Sequence, residues 1–177
     1  MTTYNTMTTR AAGYVVPASE WNKIKYNFDA LRPDTCGVGR TAVQSIPDSV
    51  LTAMLWDAEA AENWDHTNMH SLVGDTDRIN ILRTGVYLIT ANVRFLADAT
   101  GTRECYVYRS DAAALWGETK PGSASYDAYF SPNFTTHLNV GDYVSVKVLQ
   151  SAGHALDILR DGVRIPNFAV TLLYDET

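Results

Sequence analysis

Hydrophobic and polar residues alternate with a period of two along much of the chain, most clearly in TGVYLITANVRF, residues 84–95. One face of that stretch reads Tyr87, Ile89, Ala91, Val93, Phe95 and the other Val86, Leu88, Thr90, Asn92, Arg94, which predicts a β-strand with one wholly apolar side. The second face begins apolar and ends polar. A strand covered on both sides at its start and wet at its end suits a packed pair of sheets in which one sheet also meets another subunit. The same alternation sets Val144, Val146 and Val148 against Tyr143, Ser145 and Lys147, and Phe168, Val170, Leu172 and Tyr174 against Thr171 and Leu173. That last stretch is apolar at nearly every position, which places it mid-sandwich or against a neighbouring subunit. TAVQSI, SVLTAMLWD, RINIL, RECYVYRS, AYFSPNFTTHL and ALDILRD are further strand candidates, separated by turn-forming clusters such as GDTD, DATG, KPGSAS and NVGD. About eight to ten short strands without βαβ alternation predict a mainly β fold, an antiparallel sandwich or jelly roll.

A different period precedes the strands. In PASEWNKIKYNFDALRP, Trp21, Ile24, Phe28 and Leu31 recur at spacings of three, four and three, with Ser19 placed to cap and Pro33 to stop a short amphipathic helix. A helix of about three to four turns is marginal alone, so its stripe packs either on the body of the chain or on copies of itself. The first sixteen residues, rich in Thr and small side chains, read as an extended arm that orders against a partner. The expected organisation is an arm and attachment or oligomerisation helix over residues 1–36, then a jelly roll over 37–177, with the Gly-rich CGVGR at Cys36 as the hinge.

Composition narrows the function classes. At 177 residues, 46% apolar and 19% charged, the chain has the balance of one globular domain, and ten Tyr, five Phe and four Trp favour pleated surfaces over a helical bundle. A net charge of −6 with only 14 scattered basic residues excludes a nucleic-acid binder. No apolar run is long enough to cross a bilayer, and the opening residues lack the basic start and apolar centre of a signal peptide. Cys36 and Cys105 read as buried free thiols or as a disulfide pair.

The search for chemistry yields no catalytic, metal or cofactor set, and the chain reads as a non-enzyme. His66 and His70, with Asp65, have a helical metal-site spacing, but WDHTNMH is loop-like and lacks the glutamate of a zinc motif. GDTDRIN is too short for a calcium loop, and nothing resembles a Gly-x-Ser-x-Gly elbow. Trp116 lies in AALWGETKPGSASYDAY, read as a long polar and aromatic loop which, with Tyr126 and Tyr129, would stack a host surface glycan. The competing reading folds Trp116 under its own loop.

Family resemblance then enters through ordered motifs: Gly85 and Tyr87; Leu138, Gly141, Asp142 and Val144; Phe168 with Leu172 and Leu173; and the earlier SIPDSVLTAMLWDAE and WDHTNMH. The set, over roughly residues 41 to 177, resembles the jelly-roll module of the tumour-necrosis-factor-like and complement-globular-head superfamily, in the version common on bacteriophage virions. AAGYVVPASEWNKIKYNFDAL is similar to the amino-terminal segment of phage structural proteins. The resemblance implies a homotrimer with one sheet of each sandwich packed around a threefold axis. Tyr87, Ile89, Val93, Phe95, Phe168 and Leu172 would fill either the sandwich core or the trimer interface, and Trp21, Ile24, Phe28 and Leu31 would gather three chains. Residues 1–31 would dock on a major capsid or tail protein, making a compact decoration knob on the virion surface. The alternative is a tail-associated adhesin recognising host carbohydrate or protein.

Overall fold

The computed structural model describes residues 17–30, 33–57, 64–65, 67–110, 113–158 and 165–176. It divides into a helical unit ahead of Asp34 and a β unit from Asp34 to Glu176. In the helical unit, α1 spans Ala18–Ala30. Ser19, expected as the cap, lies inside the first turn, and the helix begins with the Pro17 carbonyl accepting from the Glu20 and Trp21 N–H groups at 3.0 and 3.1 Å. Glu20 in that turn suits the positive end of the helix dipole. Trp21 is exposed and Ile24 half-buried. Leu31, the arm and the side chain of Phe28 lie outside the described residues.

The β unit contains β1 (Thr35–Gly39), β2 (Gln44–Ile46), β3 (Thr52–Ala53), β4 (Trp64–Asp65), β5 (Arg78–Asn80), β6 (Gly85–Phe95) and β7 (Asp98–Arg109). Then follow β8 (Ala113–Ser123), β9 (Ala128–Phe130), β10 (Asn133–Leu138), β11 (Tyr143–Gln150), β12 (Leu156–Ile158) and β13 (Asn167–Asp175). Eight strands make one sheet, ordered β2-β12-β6-β13-β1-β4 with β9 and β10 on β6, and five make the other, ordered β3-β11-β7-β8 with β5 on β11. The ladders are antiparallel throughout the described residues. The fold is an antiparallel jelly-roll sandwich.

β6 is the centre of the larger sheet because its period-two pattern supplies a complete core face. Tyr87, Ile89, Val93, Phe95 and Phe168 are fully buried and Leu172 is 6% exposed, so of the two places left open by the sequence these residues occupy the sandwich core. Val144, Val146 and Val148 face them from β11, also fully buried. Each such side chain contributes about 1.5–3 kcal/mol of transfer free energy. Ring packing adds shape: Trp56 lies 5.7 Å from Phe168, and Phe95 meets Phe130 edge-on at 6.3 Å. The Tyr87 hydroxyl donates to the Arg83 carbonyl at 2.7 Å, and burial pushes its phenol up to about 12.

Two motif elements acquire a local cause. A β-bulge in β13 lets Leu172 pair with Tyr87 and Tyr174 with Val86, so Tyr174 turns to the outer face instead of continuing the core series. The bulge passes so close to Gly85 that a Cβ there would meet the Tyr174 carbonyl oxygen at 2.2 Å. Downstream, Gly141 takes a φ of 88°, and Asp142 Oδ2 accepts from the Asn139 N–H at 2.9 Å, which closes the turn between β10 and β11.

Three local readings are corrected, and for the cysteines the free-thiol reading holds. CGVGR is not a hinge: Cys36 to Gly39 are buried in β1, paired with β13. The Trp116 segment is not a loop: Ala113–Ser123 is an eleven-residue strand, β8, laddered to β7. AYFSPNFTTHL is two strands, broken where the Pro132 carbonyl accepts from Ala91 N–H at 3.0 Å. Cys36 and Cys105 form no disulfide; both thiols are free and buried, and burial raises both, Cys105 to about 12.

Candidate functional site

The outer face of the eight-stranded sheet is built from the second face of β6. Val86 stands between His137 of β10 and Tyr174 of β13, Leu88 between Thr135 and Thr171, and Thr90 between Asn133 and Ala169. Antiparallel partners share a face, so these three rows lie side by side across the sheet. Val86, Leu88, Thr90, Ala169 and Thr171 are half-buried, whereas Asn92, Asn133, Thr135, His137 and Tyr174 are exposed. Next to them, Thr35 and Thr171 share a hydroxyl–hydroxyl hydrogen bond of 2.9 Å, and the Trp64 indole N–H donates to Thr35 Oγ1 at 3.0 Å. The Trp64 ring covers Gly37, where a Cβ would meet it at 2.8 Å.

Charge is kept to the margins of this face. At one end Arg94 pairs with Asp127 at 2.5 Å and lies 5.3 Å over the Tyr129 ring. At the other, His137 Nε2 meets Glu176 Oε2 at 2.9 Å. Below that end, where the chain enters the β unit, buried Asp34 accepts from Arg83 Nε at 2.6 Å, and Arg83 also reaches Asp175 at 3.2 Å. The centre is therefore a broad, gently apolar patch of Val, Leu, Ala and Thr, a composition suited to contact with another folded surface. It has no nucleophile–base pair, and among the described residues no group of three His, Cys, Asp or Glu side chains could hold a metal ion.

The sequence-expected ligand residues do not converge. Trp116 is half-buried on β8 and packs against the core. Tyr126 is 78% exposed beyond the far end of that strand. Seven strand residues, about 23 Å, separate Trp116 from Ser123. Tyr129 sits in β9 beneath Arg94. Asp65 is a loop organiser, accepting from the Met69 and His70 N–H groups at 2.9 Å each, and His70 Nε2 lies 3.3 Å from the Thr76 carbonyl; His66 lies outside the described residues. Thr135, His137, Ala169 and Thr171 were missed by sequence reasoning, although the mixed second face of β6 was the available signal.

Comparison with known proteins agrees with this architecture. No protein-family model matches the chain. An uncharacterized protein of Acanthamoeba polyphaga mimivirus is 26% identical over 129 residues, 70% of this chain, and the chain's match spans about half (52%) of that relative's length. Among solved structures, Eiger TNF from S. frugiperda superposes with a TM-score of 0.59 at 15% identity, covering 82% of this chain and 96% of that one. Murine APRIL, solved at pH 5.0, gives a TM-score of 0.59 at 17% identity over 80% of this chain and 100% of that one. The sandwich is thus TNF-like in fold, with a resemblance in sequence to a viral protein.

Proposed function

We propose that this chain is a viral structural protein, a homotrimeric decoration that projects from the virion and is held on a major capsid or tail protein through residues 1–31. The observation that carries the reading is the outer face of the eight-stranded sheet. Its central rows place Leu88 between Thr135 and Thr171 and Thr90 between Asn133 and Ala169, with no charged side chain in either row. Closed cyclic assembly around an axis hides such a face three times over without opening a route to filaments. The TNF-like fold and the viral relative support the same reading. Its role is that of a binding and shape-giving protein without enzymatic activity. A bacteriophage origin follows from the motif resemblance, and the helix would orient the three sandwiches on the particle.

Light scattering tests the trimer directly. The full chain is expected at three times its 19.6 kDa mass. A chain beginning at Pro33, which retains the whole β unit, is expected to remain trimeric but to lose recovery on purified particles. A monomer in both forms at tens of micromolar overturns the trimer, and equal recovery of both forms on particles overturns attachment through the arm.

A further inference from the structure

We propose that the outer face of the five-stranded sheet carries a shallow carbohydrate site, with Tyr106 as its stacking platform and Glu104 as its hydroxyl acceptor, for a neutral hexopyranose. On this face Gly117 of β8, Tyr106 of β7 and Lys147 of β11 form one row, and Thr119, Glu104 and Leu149 form the next. The Tyr106 ring occupies the space above Gly117 that a side chain would fill: a Cβ there would meet ring carbons Cδ1 and Cε1 at 2.7 and 2.8 Å. Its hydroxyl reaches into the next row and donates to Glu104 Oε2. The ring is thus anchored over one row, tethered in the next, and flanked by the Tyr108 ring at 6.1 Å, while the residue stays half-buried.

That arrangement is rigid before any ligand arrives. The backbone of Gly117 supports the ring from below and the hydrogen bond to Glu104 holds its hydroxyl end, so binding has little of it to order. The neighbouring rings already carry cations: Lys147 Nζ lies 5.1 Å over Tyr108 and the Arg78 guanidinium 4.4 Å over Tyr143. In the proposed site, the side of the electron-rich Tyr106 ring away from Gly117 receives the weakly positive C–H face of a pyranose. Glu104 uses Oε2 for the phenol, and its Oε1, with no bond among the described residues, would accept from sugar hydroxyls. The same carboxylate, in a chain of net charge −6, repels sialic and uronic acids, which selects a neutral sugar.

This site is separate from Trp116, which packs inward from β8, and it lies on the sheet opposite the proposed assembly face, so its test does not depend on the trimer. Saturation-transfer NMR of the full chain would use the methyl glycosides of glucose, galactose, mannose and N-acetylglucosamine as probes. Transfer to the ring protons of one face of at least one glycoside is expected. Tyr106→Ala should weaken that glycoside by about tenfold or more, the loss typical of a central aromatic contact. Glu104→Gln should weaken it less, Tyr106→Phe should retain most of the binding, and Trp116→Ala should leave it unchanged. The ordered loss across Tyr106→Phe, Glu104→Gln and Tyr106→Ala separates a site from a ring that merely shields Gly117. No transfer to any of the four glycosides overturns the proposal, as does affinity unchanged in both Tyr106→Ala and Glu104→Gln; should Tyr106→Ala fail to fold, Glu104→Gln alone decides.

Discussion

Arg103 is the side chain on which the irregular start of β7 depends. It is 1% exposed, and its guanidinium donates to the carbonyls of Thr100 at 2.8 Å, Thr102 at 2.9 Å and Asp98 at 3.1 Å, with the Asp98 carboxylate 3.3 Å away. A planar fork offers five donors in a fixed geometry, where an ammonium offers three that must turn to suit. Arg103→Met leaves those carbonyls without a donor and should cost about 3 kcal/mol in chemical denaturation, with Arg103→Lys intermediate. Acid sensitivity also belongs to single residues. Backbone N–H donation from Thr100 holds the Asp98 carboxyl below its ordinary 3.8, and at Asp57 burial is outweighed by N–H donation from Thr41 and Ala42. Carboxylates depressed in the fold bind fewer protons there than in the unfolded chain, so their stabilisation is present above pH 3.8 and is lost as pH falls below it. Melting temperature should therefore drop as pH falls from about 4 toward about 2, and Asp57→Asn should flatten that slope while lowering the plateau.

Elements were legible where their two faces differ. β6, β11 and β13 each bury one alternating series, and that contrast is written in the sequence. β8 was not legible, because it is an edge strand laddered only to β7 whose Gly117, Pro121 and Gly122 are turn-forming residues elsewhere. Gly117 is there for the Tyr106 ring, a cross-strand fact no local window contains. β1 was hidden for a similar reason, since Gly37 accommodates Trp64 from β4, twenty-seven positions along the chain. The face proposed for assembly was half legible: the mixed face of β6 was visible, but its partners depend on register and on the bulge that turns Tyr174 outward. Two glycines separate these causes experimentally. Gly85→Ala drives a methyl into the Tyr174 carbonyl and should cost about 2–3 kcal/mol. Gly141→Ala meets nothing within 4 Å and incurs only the positive-φ penalty, about 1 kcal/mol. Thermal melts of the pair should rank them in that order.

At the scale of the whole molecule, the two outer sheet faces differ in chemistry. One outer face is smooth, uncharged at its centre and built from β6, β10 and β13; the other displays tyrosines, cations and a carboxylate on β7 and β11. A trimer that closes on the first leaves the second turned to the medium in three copies, and three weak sugar contacts on one particle gain avidity without any new contact. The decisive comparison sets a change on the assembly face against one in the core. Leu88→Arg puts a charge into the centre of the smooth face, at a side chain only half-buried in the single chain. It should weaken association by about 2 kcal/mol or more per contact, roughly thirtyfold, and shift the light-scattering mass toward one chain while the monomer still melts cooperatively. Leu172→Ala, on the opposite side of the same sheet, removes a core side chain and should lose about 2–5 kcal/mol of folding stability with the surviving folded fraction still assembling. If the two variants change mass and stability in parallel, the face and the core are one cooperative structure and the assembly reading fails; if they separate, the second face of β6 is where one copy of the chain meets the next.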